Sequence, residues 1–173
     1  MIPGSCRTWP LSPETPPINA RLFRYYDDIH ANFFLGRAYL DAGSPLEAST
    51  YFSRVVQALP EYRPAIMYLA ASRSAAKRFQ QAASAYLRAA KMSQDPVAQE
   101  DRILIAFALL AKESPKDPAR QHQYGTALHE YGHYHLALST LRSVLELDST
   151  RAGVREEIAK LELSIRSGLD GAR

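Results

Sequence analysis

The stretch that decides the fold is NFFLGRAYL at residues 32–40, which is followed by ASTYF at residues 48–52. Gly36 is the small residue of the first segment, and Ala48 and Phe52 form a small–large pair at helical spacing in the second. A small residue lets a neighbouring helix backbone approach closely, and a large one on the same face fills the space beside it. The spacing therefore predicts an antiparallel helix pair that must stack on a further pair to bury its apolar face.

The small and large positions return twice along the chain. They are held by Gly36, Ala48 and Phe52, then by Ala70, Ala82 and Tyr86, and then by Gly125, Ala137 and Leu141. This pattern resembles the tetratricopeptide repeat, a helix-turn-helix unit of about 34 residues with the motifs W-x2-L-G-x2-Y, A-x3-F and P. The chain departs from that pattern at Asn32 in the tryptophan position, at Arg73 in an aromatic position, and at Ser149 in a proline position.

The resemblance implies an all-α, right-handed superhelical solenoid of antiparallel helix pairs. We expect a tetratricopeptide-like helical domain over 18–167, behind a proline-rich flexible leader over 1–17 and before a frayed tail over 168–173. Within the domain the repeats cover about 29–62, 63–96 and 118–151. An extra helix covers about 96–113, and a C-terminal capping helix covers about 152–167.

The extra helix leaves two arrangements open. It either fills a gap sideways, or it pairs with residues 119–131 and shifts the pairing of the helices that follow. We favour residues 119–131 as the first helix of the third repeat, because Gly125 and Gly132 fit that role.

Composition excludes several classes of protein. The 173 residues are 46% hydrophobic and 23% charged, which is typical of a folded domain, and Cys6 is the one cysteine, so no disulfide can form within the chain. The net charge of +3 does not indicate nucleic acid. No apolar run reaches the about 18 residues of a membrane span, and residues 1–17 do not form a secretory signal. We expect a cytoplasmic protein that contacts no membrane and no nucleic acid and needs no metal or other cofactor.

The resemblance implies a concave groove, lined by the first helix of each pair, that takes a peptide or a helix of a partner protein. By register the groove residues are His30, Phe33, Arg37 and Leu40 in repeat one, Met67, Ala71 and Ser74 in repeat two, and His122, Thr126 and His129 in repeat three. An apolar patch beside Arg37 suits an apolar anchor with a nearby acid. Alternatively, Phe33 and Met67 are buried against the leading segment.

The clamp by which co-chaperone repeats hold an acidic C-terminal peptide is absent. The matching positions hold Phe33, Arg37, Tyr68, Ala119 and Gln123. Of these residues Arg37 alone is cationic, so the resemblance does not extend to that function.

Charge is distributed unevenly along the chain. Residues 63–94 carry six basic side chains and no acid, whereas residues 95–117 carry five acids against three bases. Arg73, Lys77 and Arg78 form the densest basic group, which suits an acidic partner segment.

His129-Glu130-Tyr131-Gly132-His133 matches H-E-x-x-H, the motif of zinc proteases. That chemistry needs both histidines on one face of a continuous helix, and Gly132 falls where the repeat predicts a turn. A zinc-dependent hydrolase using His129, Glu130 and His133 is therefore the alternative hypothesis. We favour a non-catalytic adaptor, or an assembly subunit of a larger complex, that binds a peptide segment of another protein.

Overall fold

Short turns join eight helices over residues 28–168, the part of the chain that the computed structural model describes, and this part contains no strand. The helices are α1 Ile29–Asp41, α2 Pro45–Ala58, α3 Arg63–Ala75, α4 Phe79–Lys91, α5 Pro96–Glu113, α6 Pro118–Glu130, α7 Tyr134–Leu147 and α8 Val154–Arg166. The predicted leader over 1–17, the segment over 18–27 and residues 169–173 of the predicted tail lie outside the described residues. None of the described helices is both long enough and apolar enough to span a lipid bilayer.

Aspartate caps set the start of three helices. The carboxylate of Asp28 accepts a hydrogen bond from the backbone N–H of His30, and Asp95 and Asp117 cap α5 and α6 in the same way. A proline follows directly after Asp95 and Asp117, where its missing N–H costs nothing. These local signals fix the bounds of α5 and α6.

The turn inside each of the three pairs has the same geometry. The N–H of Ser44 donates to the carbonyl of Tyr39, and the corresponding bonds close the turns at Arg78 and His133. This is the Schellman arrangement, which requires a residue of positive φ before the closing N–H. Glycine holds that position in the first and third pairs, but Lys77 holds it in the second, with a φ of 59°.

The predicted contact between small and large residues occurs in the first and third pairs. A Cβ atom built on Gly36 would lie 2.8 Å from the ring of Phe52, and one built on Gly125 would lie 2.8 Å from Leu141 Cδ2. Both large side chains are fully buried. The all-α fold of stacked antiparallel helix pairs is confirmed, and the predicted small–large contact holds the first and third pairs together.

The extra helix α5 lies between two hydrophobic clusters. Ala106 is fully buried within the cluster built on α1 to α4, which includes Phe52, whereas Leu104 packs against the cluster built on α6 to α8, which includes Leu141. The ends of α5 show its direction: Lys112 lies over the ring of Phe79, at the start of α4. The helix therefore runs antiparallel to α4 and parallel to α3, in the place that the first helix of a next pair would take.

The helix α6 packs against α7 through Gly125 and Leu141, as a pair of its own. It also runs back along α5, because Arg120 near its start forms an ion pair with Glu113 at the end of α5. The extra helix thus fills a position in the alternating stack without breaking the third pair. The final helix α8 covers α7 with the buried side chains of Val154 and Leu161.

Candidate functional site

An aromatic cluster lies at the predicted groove face, the side of α1 and α3 that carries the predicted groove residues. The ring of Phe33 is half-buried and meets those of Phe52, Tyr62 and Tyr68 edge to face, with centroids 5.7, 5.6 and 5.4 Å away. Such pairs add stability beyond the area they bury. The neighbouring Phe34 ring is 63% exposed and lies 6.2 Å from that of Phe33. The cluster is therefore a rigid apolar platform whose outer edge is accessible.

Polar side chains border this platform. Arg37 is exposed, and its guanidinium carbon lies 5.8 Å from the centre of the Tyr68 ring. His30 is also exposed, about two turns before Arg37. A cation held against an aromatic face remains available to an anion that approaches from solvent. A ligand that approaches from solvent would thus find an apolar surface and a cation next to each other.

The other groove residues predicted on α1 and α3 flank the same face. Leu40 and Met67 are half-buried and pack against the first hydrophobic cluster. Ala71 and Ser74 are half-buried on α3. None of the seven residues predicted on these two helices is fully buried, and Phe33 and Arg37 of α1 both contact Tyr68 of α3.

Two of the three residues predicted on α6, His122 and Thr126, contact the capping helix. His122 Nε2 lies 3.1 Å from both carboxylate oxygens of Glu157, and Thr126 Oγ1 donates to one of them at 3.5 Å. Arg151 Nε donates to His122 Nδ1 at 3.2 Å, so Nε2 carries the proton that is given to Glu157. The His122 side chain is engaged on both ring nitrogens and is 20% exposed.

The basic group at the turn between α3 and α4 has no acidic partner within residues 28–168. Arg73 is half-buried, and burial together with the nearby Arg78 lowers its pKa from the usual value. Lys77 and Arg78 are exposed. Cationic groups that repel one another without neutralisation produce a local positive field.

The H-E-x-x-H residues do not share a helix. His129 and Glu130 lie in the last turn of α6, Gly132 has a φ of 82° in the turn, and His133 precedes α7. The imidazole of His129 contacts the Tyr134 ring edge to face, whereas His133 Nε2 lies 3.6 Å from a carboxylate oxygen of Glu100. Across residues 28–168, no three potential metal ligands lie together. This geometry lacks the continuous helix that the zinc-protease motif requires.

One candidate site was missed by the sequence reasoning: a cavity of about 630 Å³ at the start of α3. Its wall includes Met67, Met92, Arg63 and Arg102. Arg102 directly precedes the longest apolar run of the chain, in a segment whose net charge is acidic. In the sequence, the one indication of this site is that Arg102 stands next to an apolar run. That pattern does not identify the residues that surround Arg102 in the fold.

The helix contacts determine the class of the fold. In two of the three pairs, the large residue of the second helix lies so close to the glycine of the first that no Cβ atom would fit there. The fold is tetratricopeptide-like. Neither a protein-family model nor a curated protein matches the sequence.

Several solved structures are similar to this chain at low sequence identity. One is YrrB, a tetratricopeptide protein with an unusual peptide-binding site, which is 12% identical over 87% of this chain and 84% of that chain, with a TM-score of 0.41. A second is MamA from Desulfovibrio magneticus RS-1, which is 12% identical over 81% of this chain and 85% of that chain, also at 0.41. A third is a tetratricopeptide protein of Thermus thermophilus, which is 18% identical over 80% and 83% of the two chains, at 0.38.

Proposed function

We propose that this chain is a non-catalytic adaptor that binds a peptide or helical segment of a partner protein on the groove face of α1 and α3. One observation carries the proposal: the half-buried ring of Phe33 supports an accessible apolar edge, with Arg37 beside it. Residues of this kind dominate binding energy at protein interfaces, because a fixed aromatic surface loses little conformational entropy on binding. The partner segment carries an apolar anchor for the platform and an acidic residue for Arg37.

The basic group of Arg73, Lys77 and Arg78 supports an acidic partner. These cations lie at the far end of α3 from the cavity and have no ion pair within the described residues. Unpaired surface cations raise the association rate of an acidic segment more than they strengthen the final complex. The same surfaces would serve an assembly subunit that is held within a larger complex.

The test measures the binding of short, end-blocked fluorescent peptides, each of which carries one acidic and one aliphatic residue, by anisotropy. Substituting Phe34→Ala or Arg37→Gln should weaken binding by about tenfold, since each removes an anchor of the interface. The matched control is Leu163→Ala, because Leu163 is 69% exposed on α8 and lies outside the groove face.

Reversing the charge of Arg73, Lys77 and Arg78 should reduce the salt dependence of the association rate and leave the anchors intact. Binding that is insensitive to both groove variants, or an equal loss in the Leu163→Ala control, would contradict the proposed function.

A further inference from the structure

Residues from three parts of the chain border the open cavity at the start of α3. It has a volume of about 630 Å³, within the range of protein ligand sites. Its wall consists of Tyr62, Arg63, Pro64 and Met67 around the start of α3, Glu61 before them, Met92 after α4, and Arg102 of α5. Because α5 takes the place of a next first helix, the cavity continues the groove face beyond α3.

Arg102 is the unusual member of this wall. Among residues 28–168, its buried Nη1 atom has no hydrogen-bond acceptor. A buried donor without a partner is costly, and such donors are rare in folded proteins. Arg102 lines the cavity, and a carboxylate that enters the cavity matches the fork of donors that a guanidinium presents.

The charge of the wall indicates which anion fits. Arg63 and Arg102 contribute two positive charges and Glu61 one negative charge, which leaves a net charge of +1. One carboxylate neutralises that charge, whereas a phosphate group, at about −1.5 to −2, would exceed it.

The apolar part of the wall determines which kind of side chain fits next to the carboxylate. Met67 and Met92 face the same cavity, and flexible thioether side chains adapt to aliphatic groups of varied shape. Met67 also belongs to the groove face, so a segment that lies along α3 passes the cavity.

We propose that this cavity takes an acidic side chain from within the bound segment, paired with Arg102, while an adjacent aliphatic side chain packs between Met67 and Met92. This inference rests on the proposed function and names the residue class that the groove recognises at its α5 end. An internal acidic side chain fits because the segment continues along α3 on the groove side.

The experiment compares two end-blocked fluorescent peptides that differ at one residue, one with a central Leu-Glu-Leu and the other with Leu-Gln-Leu. The full chain should bind the glutamate peptide about tenfold more tightly, because the amide loses the charge-assisted bonds to Arg102. Arg102→Gln should abolish this preference, and Arg102→Lys should retain part of it. Arg166→Gln on α8 is the matched control and should keep the full preference, and thermal melting checks that every variant is folded.

The outcomes separate the cavity from the groove. If Arg102→Gln keeps the preference for glutamate while Phe34→Ala weakens both peptides, the cavity proposal is overturned and the groove stands. If Arg102→Gln removes the preference while Phe34→Ala changes nothing, the cavity is supported and the groove fails. Tighter binding of a peptide with a free C-terminal carboxylate than of its blocked form would assign the cavity to a chain end and overturn the proposal. So would a tenfold gain in affinity in Glu14→Gln, because the chain's own N-terminal segment would then be the occupant.

Discussion

Replacing Gly36 by alanine tests the contact that organises the first helix pair. In the interior of a helix this change alone stabilises by about 1 kcal/mol, because glycine is the poorer helix former. Here the new Cβ would lie 2.8 Å from the ring of Phe52, whereas comfortable carbon contacts are about 3.5–4.0 Å. The ring cannot retreat easily, because it is fully buried, stacks on Tyr68 at 5.2 Å and meets Phe33 edge to face.

Overpacking of this kind costs about 1–3 kcal/mol. We expect the upper part of that range, because the Phe52 ring is fully buried and cannot move aside easily. Subtracting the helix-propensity gain leaves a net loss of about 1–2 kcal/mol in the free energy of unfolding. The melting temperature should then fall by about 3–8 °C. Urea unfolding and calorimetry measure both quantities.

Two further variants isolate the steric cause. Ala38→Gly, at an exposed position of α1, measures the local preference for alanine and should cost about 1 kcal/mol. Phe52→Leu combined with Gly36→Ala should lose at least about 1 kcal/mol less than the sum of the single changes, since a smaller side chain relieves the clash. An unchanged or raised melting temperature in Gly36→Ala would refute the reasoning.

Three other perturbations follow from single contacts. Lys77→Gly should stabilise the chain by about 0.5–1 kcal/mol in urea unfolding, because glycine has no Cβ penalty at a φ of 59°. The same change removes a cation and should slow association with an acidic peptide. A loss of stability would contradict the backbone argument. Burial raises the pKa of the Tyr86 hydroxyl, so the neutral form is favoured in the folded state; the stability that this provides is complete below about pH 10 and is lost as the pH rises through the folded pKa. Unfolding measured across that range should show a shallower decline in Tyr86→Phe, and equal declines would count against it. Glu157→Gln should speed hydrogen exchange in α8 and cost about 1 kcal/mol, because it weakens the bonds to His122, whereas Glu162→Gln, whose partner Arg142 is exposed, should leave exchange unchanged.

The helix pairs could be predicted because their contacts obey a steric rule that is visible within a few residues. Gly36 with Phe52 and Gly125 with Leu141 are small–large combinations, and each pair is joined by a short turn. The proline after Asp95 likewise marks a helix start by local chemistry. Such features depend on neighbours that are close in the sequence, so a single chain is enough to reveal them.

The placement of α5 could not be predicted in the same way. Its run from Ile103 to Ala111 is apolar on all sides, so no single face identifies a neighbour. Leu104 and Ala106 are two residues apart and belong to different hydrophobic clusters. The cavity beside Arg102 could not be predicted either, because its wall forms only when residues in and around α3, α4 and α5 come together.

The contacts of the groove residues predicted in the third repeat could not be predicted from the sequence either. His122 meets Glu157 across 35 positions of the chain, and its other ring nitrogen accepts from Arg151. No periodicity links these three residues, since they lie on one helix, on the capping helix and in the loop before it. The groove assignment of His122, Thr126 and His129 stays a prediction.

One unpaired helix in a stack of alternating direction reverses the direction of every helix that follows it. The first helices of pairs one and two, α1 and α3, run in the same direction as α5, whereas α6, the first helix of the third pair, runs opposite to them. Under the proposed function, a segment that extends along α1 and α3 meets α5 next in the same helix direction, whereas α6 runs in the reverse direction. The groove residues predicted on α6 would therefore meet such a segment with the polarity of their helix reversed.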